Sequence, residues 1–465
     1  MSRSYPQTRH GSFVDKVLVA LYLVGIYLGI AFQLPGGVPV PQVVAGLAGF
    51  GLLMKHAGQI STRHVVPVIV VLVLAVCSIL TAPDYGLLNE RFKGFVQFTY
   101  AMMITYGFFL AARTLSARWL ARFFMAFCVA IIVGCAMENA IPAFKAVSDA
   151  FRGWVFESGV YDSDIRDIGL YGQVRPKLFT SEPSFVAFSF TLFAFAWYVV
   201  SRMPAKAIVY IVMLAVGYEF LRSPTMLIGV GLVPAYEILI ASRGVGRGGM
   251  QLNWSRATVA TVVSAILAVA GLIVATVVFA ARIEEIVAGN DPSFFARIIA
   301  PPMLALEILA EYPLTGVGMT GWEFLDAKVQ QIYATTSWLS LELEIESAQH
   351  AITNYFWLHW IFLGLFWGLA VLAAMSWYIA RLGVPSVLFC WGVWAVFGQA
   401  AGGWVDPRTW TVLLLAAAVS VVHQRDKRMA RHAVEVQRMR RRQRMAAMAP
   451  TAPIPVRPRL VSGYS

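Results

Sequence analysis

The run Arg175-Pro176-Lys177-Leu178-Phe179-Thr180-Ser181-Glu182-Pro183-Ser184 brings two cations and a carboxylate directly against an apolar stretch. Pro183 suits the first position of a helix, and Ser181 its cap. A helix start offers free backbone N–H groups and the positive end of the helix dipole, which favours an anion. Arg175 and Lys177 beside it would clamp a phosphate; anchoring at a membrane interface would use the same residues. Farther along, Ser293-Phe294-Phe295-Ala296-Arg297 sets an arginine among aromatic residues, nearly the only cation between Arg282 and Lys328. Such an arginine takes Glu307, Glu311 or a substrate phosphate as its partner. The alternating carboxylates Glu342, Glu344 and Glu346 lack the Asp/Asn/Gly pattern of a calcium loop, so no metal is expected. One of them, or His350 just after, could instead take a proton from a hydroxyl. Gly316, Gly318 and Gly321 match the dinucleotide fingerprint by spacing, but no strand precedes them and no βαβ helix follows. They read as a tight turn that brings backbone close to another group.

Composition says what must position these residues. The chain is 58% hydrophobic and 13% charged, where soluble chains carry roughly 25% charged residues. So few charges cannot cover a water-soluble surface, and lipid is the solvent for much of the chain. The net charge of +12 does not imply nucleic acid, because the cations flank apolar runs and eleven lie between Arg425 and Arg459. Cys77, Cys128, Cys135 and Cys390 sit inside apolar runs without CxxC spacing and read as small buried residues. The polar N-terminus leads into an apolar run without a cleavage site, an anchor that stays.

A spanning helix needs about 20 mostly apolar residues. Such runs lie at 16–34, 38–54, 64–82, 95–113, 119–141, 183–201, 205–221, 224–242, 257–281, 353–380, 385–402 and 408–423. They predict an all-α, polytopic transmembrane bundle of about 12 helices in a single domain, 1–423. With the N-terminus inside, the inner connections collect the cations: Arg3 and Arg9; Lys55 and Arg63; Arg113, Arg118 and Arg122; Arg202 and Lys206; Arg243, Arg247 and Arg256; Arg381; and the tail. The positive-inside rule then puts both termini in the cytoplasm. Loops 142–182 and 282–352 fall outside and are too long for turns; their aromatic and aliphatic content predicts order. Within the second, Pro301 to Glu311 predicts a short amphipathic helix stopped by Pro313. Residues 424–465 are expected to be a disordered basic tail, with Arg438 to Arg444 near anionic headgroups. Arg91 and Lys93 precede the fourth helix, and Arg222 sits between the seventh and eighth. Cations at membrane depth face the protein interior or a watery cavity, and several converging on one pocket would suit a pyrophosphate.

The chain resembles the O-antigen ligase and Wzy-type polymerase superfamily of bacterial inner membranes. Three segments carry the resemblance: Arg175 to Ser184 entering a helix; Arg297 followed by Glu311-Tyr312-Pro313-Leu314-Thr315-Gly316-Val317-Gly318, similar to the family's Pro-Leu-x-Gly-x-Gly element; and Thr353-Asn354-Tyr355 leading to Gly364 and Gly368. The order of helices and the long loop between the ninth and tenth also match. The resemblance implies transfer of a glycan from an undecaprenyl-pyrophosphate carrier to an acceptor hydroxyl at the periplasmic face, with no nucleotide, metal or other cofactor. It puts Arg297 and Arg175 on the leaving pyrophosphate; Arg91, Lys93, Lys177, Arg222, Gly316 and Gly318 are further candidates for binding it. Implied partners are the lipid-linked donor, the glycan acceptor, the bilayer, and other polysaccharide assembly and export proteins. Trp154, Tyr161 and Trp322 are candidates for sugar contacts.

One departure matters. The ligases typically carry His-Asn ahead of the last loop-to-helix junction, and that His is their proposed base. Here Thr353-Asn354 stands there, with His350 three residues earlier. Either His350 takes the role or a carboxylate such as Glu182 does. This tilts the expectation toward a polymerase of exopolysaccharide or O-antigen, with an O-antigen ligase acting on lipid A-core as the alternative. A lipid-linked sugar transporter or flippase would need charges near the bilayer midplane. Candidates there are sparse, with Glu219 and Glu237 nearer helix ends, and no inverted repeat is evident.

Overall fold

The computed structural model describes residues 11–34, 37–156, 164–246, 249–252, 258, 261–262, 280–336 and 347–448. The chain divides into two units, 1–423 and 424–465. Helices dominate: α1 (Phe13–Leu28), α2 (Val43–Lys55), α3 (Thr62–Leu80), α4 (Leu88–Ala112), α5 (Ala117–Ala140), α6 (Pro142–Val155), α7 (Asp164–Tyr171), α8 (Pro183–Val200), α9 (Lys206–Leu221) and α10 (Thr225–Tyr236). After them come α11 (Ala280–Val287), α12 (Ala300–Glu311), α13 (Trp322–Ala334), α14 (Tyr355–Arg381), α15 (Val387–Gly398) and α16 (Pro407–Met448). Among the described residues the only sheets are two antiparallel hairpins, Phe32–Leu34 with Val38–Val40 and Arg243–Gly246 with Gly249–Leu252.

Six helical stretches among the described residues are long and apolar enough to cross a membrane: Thr62–Leu80, Tyr85–Ala112, Ala117–Ala140, Pro183–Val200, Pro292–Glu311 and Tyr355–Arg381. The chain is thus an all-α, multi-pass membrane protein. The apolar runs at 16–34, 38–54, 205–221, 224–242 and 385–402 also form helices, but shorter ones, and the run at 408–423 opens the 42-residue α16. The 13 residues of α2 rise about 20 Å, against a hydrocarbon core of about 30 Å. The run at 257–281 lies outside the described residues apart from 258, 261–262 and 280–281.

The first unit is built around α8, which is buried at every position except Phe185, as expected of a helix apolar all round. It packs against α5, α9 and α10, while α2 packs between α1 and α4. Small residues permit close approach in lipid: a Cβ on Gly25 of α1 would lie 2.3 Å from the backbone nitrogen of Ala45 in α2.

Two departures from helical regularity shape the site. Pro292–Glu311 is continuous through a π turn at Phe295–Ile299, before Pro301 and Pro302. Proline has no N–H and its ring crowds the carbonyl four residues back, so the chain widens into a π turn ahead of the pair. This segment was expected to hold only a short amphipathic helix; with its upstream turns it reaches spanning length. The second departure is at Gly364, where α14 breaks with φ 63° and ψ −169°. The backbone groups freed there are taken up by the Gly-rich turn. Val317 N–H donates to the Ile361 carbonyl (3.0 Å), Gly318 N–H to that of Phe362 (2.9 Å), and Leu365 N–H to that of Pro313 (2.7 Å). In a bilayer such groups must be satisfied by protein.

In the second unit, residues 424–448 are helical, where disorder was expected. The stretch is rich in Arg, Ala, Met and Gln with no Gly or Pro before Pro450, and these are strong helix formers. Residues 449–465 lie outside the described residues.

Candidate functional site

Glu182 is delivered to the head of α8 by a loop in an unfavourable conformation. Leu178 and Phe179 both have positive φ, 34° and 63°, which costs bulky residues about 1–3 kcal/mol each. The surroundings hold the loop there. The buried Glu138 carboxylate accepts the N–H groups of Lys177 (3.0 Å) and Leu178 (2.7 Å). Ser148 accepts that of Phe179 at 3.1 Å, and Tyr27 donates to the Leu178 carbonyl at 2.8 Å. Arg152 Nε donates to the Thr180 carbonyl at 2.8 Å and its NH2 group to that of Ser181 at 3.2 Å. Such over-determined strain is typical of functional loops. The helix cap is Glu182 rather than Ser181, with Pro183 in the first turn as expected.

At that position Ser184 donates its hydroxyl to Glu182 Oε2 at 2.7 Å, and an Arg297 guanidinium nitrogen lies 3.9 Å from the same oxygen. The Arg297 side chain is 24% exposed and that of Glu182 37%, so both reach water. Arg297 sits in the π turn. Its own carbonyl has no helical donor, because residues 301 and 302 are both prolines. Asn354 Nδ2 donates to it instead, at 2.7 Å, and also to Gln399 Oε1 at 2.9 Å. Asn354 at the same time caps α14, accepting the Trp357 N–H. The prolines, the π turn and Asn354 therefore form one device that presents Arg297.

A second arginine, which the sequence did not single out, stands at the head of α8. Arg408 at the start of α16 is 7% exposed, and its guanidinium lies 4.0 Å from the ring centre of Phe185. Glu182 and Asp406 supply the opposing charges. Among the described residues, Arg408 Nε, Gln42 Oε1 and Thr353 Oγ1 are buried polar atoms without a hydrogen-bond partner. Gln42 donates to Asp406 at 2.9 Å, and Thr353 precedes Asn354, so all three belong to this end of the bundle.

The other sequence candidates are placed as follows. Arg175 bonds through Nε (2.9 Å) and NH2 (2.8 Å) to Asp167 and stacks on Tyr171. Lys177 bonds to Asp164 at 2.9 Å. With Glu138, Lys145 and Gln173 they border a half-open polar cavity of about 320 Å³. Arg91 is fully buried and donates to the carbonyls of Pro83 and Asp84, closing the end of α3. Lys93 is half-buried on α4. Arg222 ends α9 in the left-handed conformation and pairs with Glu219. The amides of Gly316 and Gly318 are spent on the Tyr312 carbonyl and on α14, so they are not phosphate donors; the group this turn approaches is the broken helix. His350 is exposed, 3.4 Å from the Ser347 hydroxyl. Glu311 pairs with Lys328 at 2.6 Å, and Glu182 stands by Arg297 where Glu307 or Glu311 was expected. Glu342, Glu344, Glu346 and Tyr161 lie outside the described residues. Trp154 is exposed, while Trp322 packs edge-on against Phe362 beside the helix break.

A mostly apolar groove of about 500 Å³ runs between α2 and α4, lined by Val43, Leu47, Phe50, Val96, Tyr100 and Met103 among others. Tyr100 donates to the carbonyl of Pro41, next to Gln42.

No protein-family model matches the chain, and no curated protein matches it either.

Proposed function

We propose that the protein is a polysaccharide polymerase of the bacterial inner membrane, crossing it about twelve times with both termini in the cytoplasm, and that it joins lipid-linked oligosaccharide repeats at the periplasmic face. The donor is a glycan on a polyprenyl pyrophosphate. The acceptor is a hydroxyl at the end of a second glycan. The acceptor oxygen bonds to the anomeric carbon, and the bond from that carbon to the carrier's phosphate oxygen breaks. Its electron pair departs with the pyrophosphate, and Glu182 takes the hydroxyl proton. One such displacement inverts the anomeric centre. Arg297 meets the charge growing on the leaving group, where partial exclusion of water strengthens the interaction, and the α8 N-terminus adds the positive end of its dipole. The groove between α2 and α4 suits the isoprenoid chain.

The observation that supports this reading is the meeting of Glu182 and Arg297, one from each long loop, at the head of a buried helix. The test is incubation of purified protein with a lipid-linked repeat unit, scoring glycan length. Wild type lengthens the chain, and Glu182→Gln and Arg297→Ala do not. Polymerisation by both variants at the wild-type rate would reject the assignment. Lipid movement across liposomes at constant glycan length would instead indicate a transporter, and full-length glycan stranded on its carrier in a deletion strain would indicate a ligase.

A further inference from the structure

We infer that the half-open cavity between α5, α6 and the loop into α8 is the subsite for the acceptor glycan, a neutral polyhydroxyl ligand, on the reading that Glu182 takes the acceptor proton. The cavity holds about 320 Å³ and is lined by Glu138, Asn139, Lys145 and the chain from Gln173 to Lys177. Pockets for small ligands begin at about 300 Å³.

Its charges balance. Lys177 and Lys145 share Asp164, at 2.9 and 3.5 Å, and Arg175 is bonded to Asp167 at 2.8 Å. Glu138, buried at the cavity wall, accepts the backbone N–H groups of Lys177 and Leu178. A diphosphate arriving here would have to displace the carboxylates that already hold these cations. A hydroxyl does not compete for that charge; it donates to a carboxylate and accepts from an N–H with the ion pairs intact.

Two side-chain amides on the wall are open to such a ligand. Asn139, exposed near the end of α5, makes no hydrogen bond among the described residues. Gln173 spends one N–H on the Glu219 carbonyl at 3.4 Å, and its amide oxygen stays free. A side-chain amide offers a donor and an acceptor together, which matches a hydroxyl that is both. Val174 and Pro176 add apolar surface, which suits the C–H face of a sugar ring.

The cavity also stands in the right place. The wall that ends at Lys177 continues through a turn, closed by the Thr180 N–H on the Lys177 carbonyl at 2.8 Å, and leads to Glu182. Even fully extended, the chain from Lys177 to Glu182 spans at most about 18 Å, within reach of an oligosaccharide. Glu138, Ser148, Tyr27 and Arg152 pin this loop, so the wall is formed before a ligand arrives and binding does not have to order it. Arg297 comes from the π turn instead. The donor's pyrophosphate belongs there, and the acceptor's sugars belong along the loop.

The test is binding, measured apart from catalysis. The probe is the free oligosaccharide released by mild acid from the lipid-linked repeat, titrated into full-length protein in nanodiscs. Wild type is expected to bind it, and Glu182→Gln to bind it equally well. Asn139→Ala combined with Gln173→Ala is expected to weaken binding at least about tenfold and to raise the acceptor KM by the same factor. If that double variant does not fold, Asn139→Trp takes its place: it puts bulk into the cavity from an exposed position and is expected to abolish binding. Inorganic pyrophosphate is expected not to displace the oligosaccharide. The inference is overturned if wild type does not bind the probe, if the folded variant binds it with wild-type affinity, or if pyrophosphate displaces it. Failure of the underlying reading looks different, since Glu182→Gln would then turn over like wild type while the oligosaccharide still bound.

Discussion

Two clusters of charge border the loop that enters α8, and they are built on opposite plans. Around Arg175 and Lys177 each cation has a bonded carboxylate: Asp167 for Arg175, Asp164 for Lys177, and Asp149 for Arg152. At the head of α8, Glu182 lies 3.9 Å from Arg297, beyond direct hydrogen-bond distance, and Asp406 accepts the backbone N–H of Arg408 at 2.7 Å. The first plan spends its charge on holding α6, α7 and the loop together. The second sets its close pair, Glu182 and Arg297, partly open to solvent. An arginine's capacity to bind an anion depends on how much counter-charge the fold has already given it.

Substitutions on the two sides probe this contrast. Glu182→Gln is expected to lower the polymerisation rate about 10²–10⁴-fold, the usual worth of a general base, with the melting temperature unchanged. Arg297→Ala is expected to cost about 10²–10³-fold in kcat, as for loss of one donor to a developing anion. Arg175→Ala is expected to do the reverse. It removes the guanidinium bonds from the fully buried Asp167, destabilising the protein by about 3 kcal/mol, while the rate per folded molecule stays at the wild-type value. Thermal unfolding in detergent, paired with the polymerisation assay, separates the two patterns. A large rate loss with an unchanged melting temperature for Arg175→Ala would erase the contrast.

Away from both clusters, Gly364→Ala forces a Cβ to within 2.5 Å of the Gly316 nitrogen at φ 63°. It is expected to cost at least about 1–3 kcal/mol, read as a lower melting temperature. The smallest effect concerns Asp164. Burial pushes its carboxyl up, but the ammonium groups of Lys177 at 2.9 Å and Lys145 at 3.5 Å outweigh this and hold it below the usual carboxylate range. A depressed folded-state value means that the stabilisation is complete above the ordinary carboxylate value and is lost as pH falls through the depressed one. Asp164→Asn is therefore expected to show a constant deficit in melting temperature from neutral pH down to mild acid, vanishing in strong acid. A deficit growing toward low pH would carry the wrong sign.

Some of the site could be read from residue order. Pro183 announced the start of α8, and Arg297 stood out as a lone cation among aromatic residues. Even the orphan carbonyl of Arg297 was implicit, since the residues four and five places on are prolines. The group that would answer it, Asn354, lies 57 positions away, and no local pattern names it. Arg408 and Glu138 were not singled out from the sequence at all. Both gain meaning only from loops that fold against them. The Gly316–Gly318 turn suggested close approach to something, but not that the something was a broken helix.

What the chain's own order determined is the solvent it lives in and the lengths of helix that follow from it, because burial of apolar side chains in lipid is a sum over neighbours in sequence. Which group each cation would meet was decided only by tertiary structure. Electrostatic pairing depends on distance in space, and the partners of Arg175, Arg297 and Arg408 come from different helices and loops.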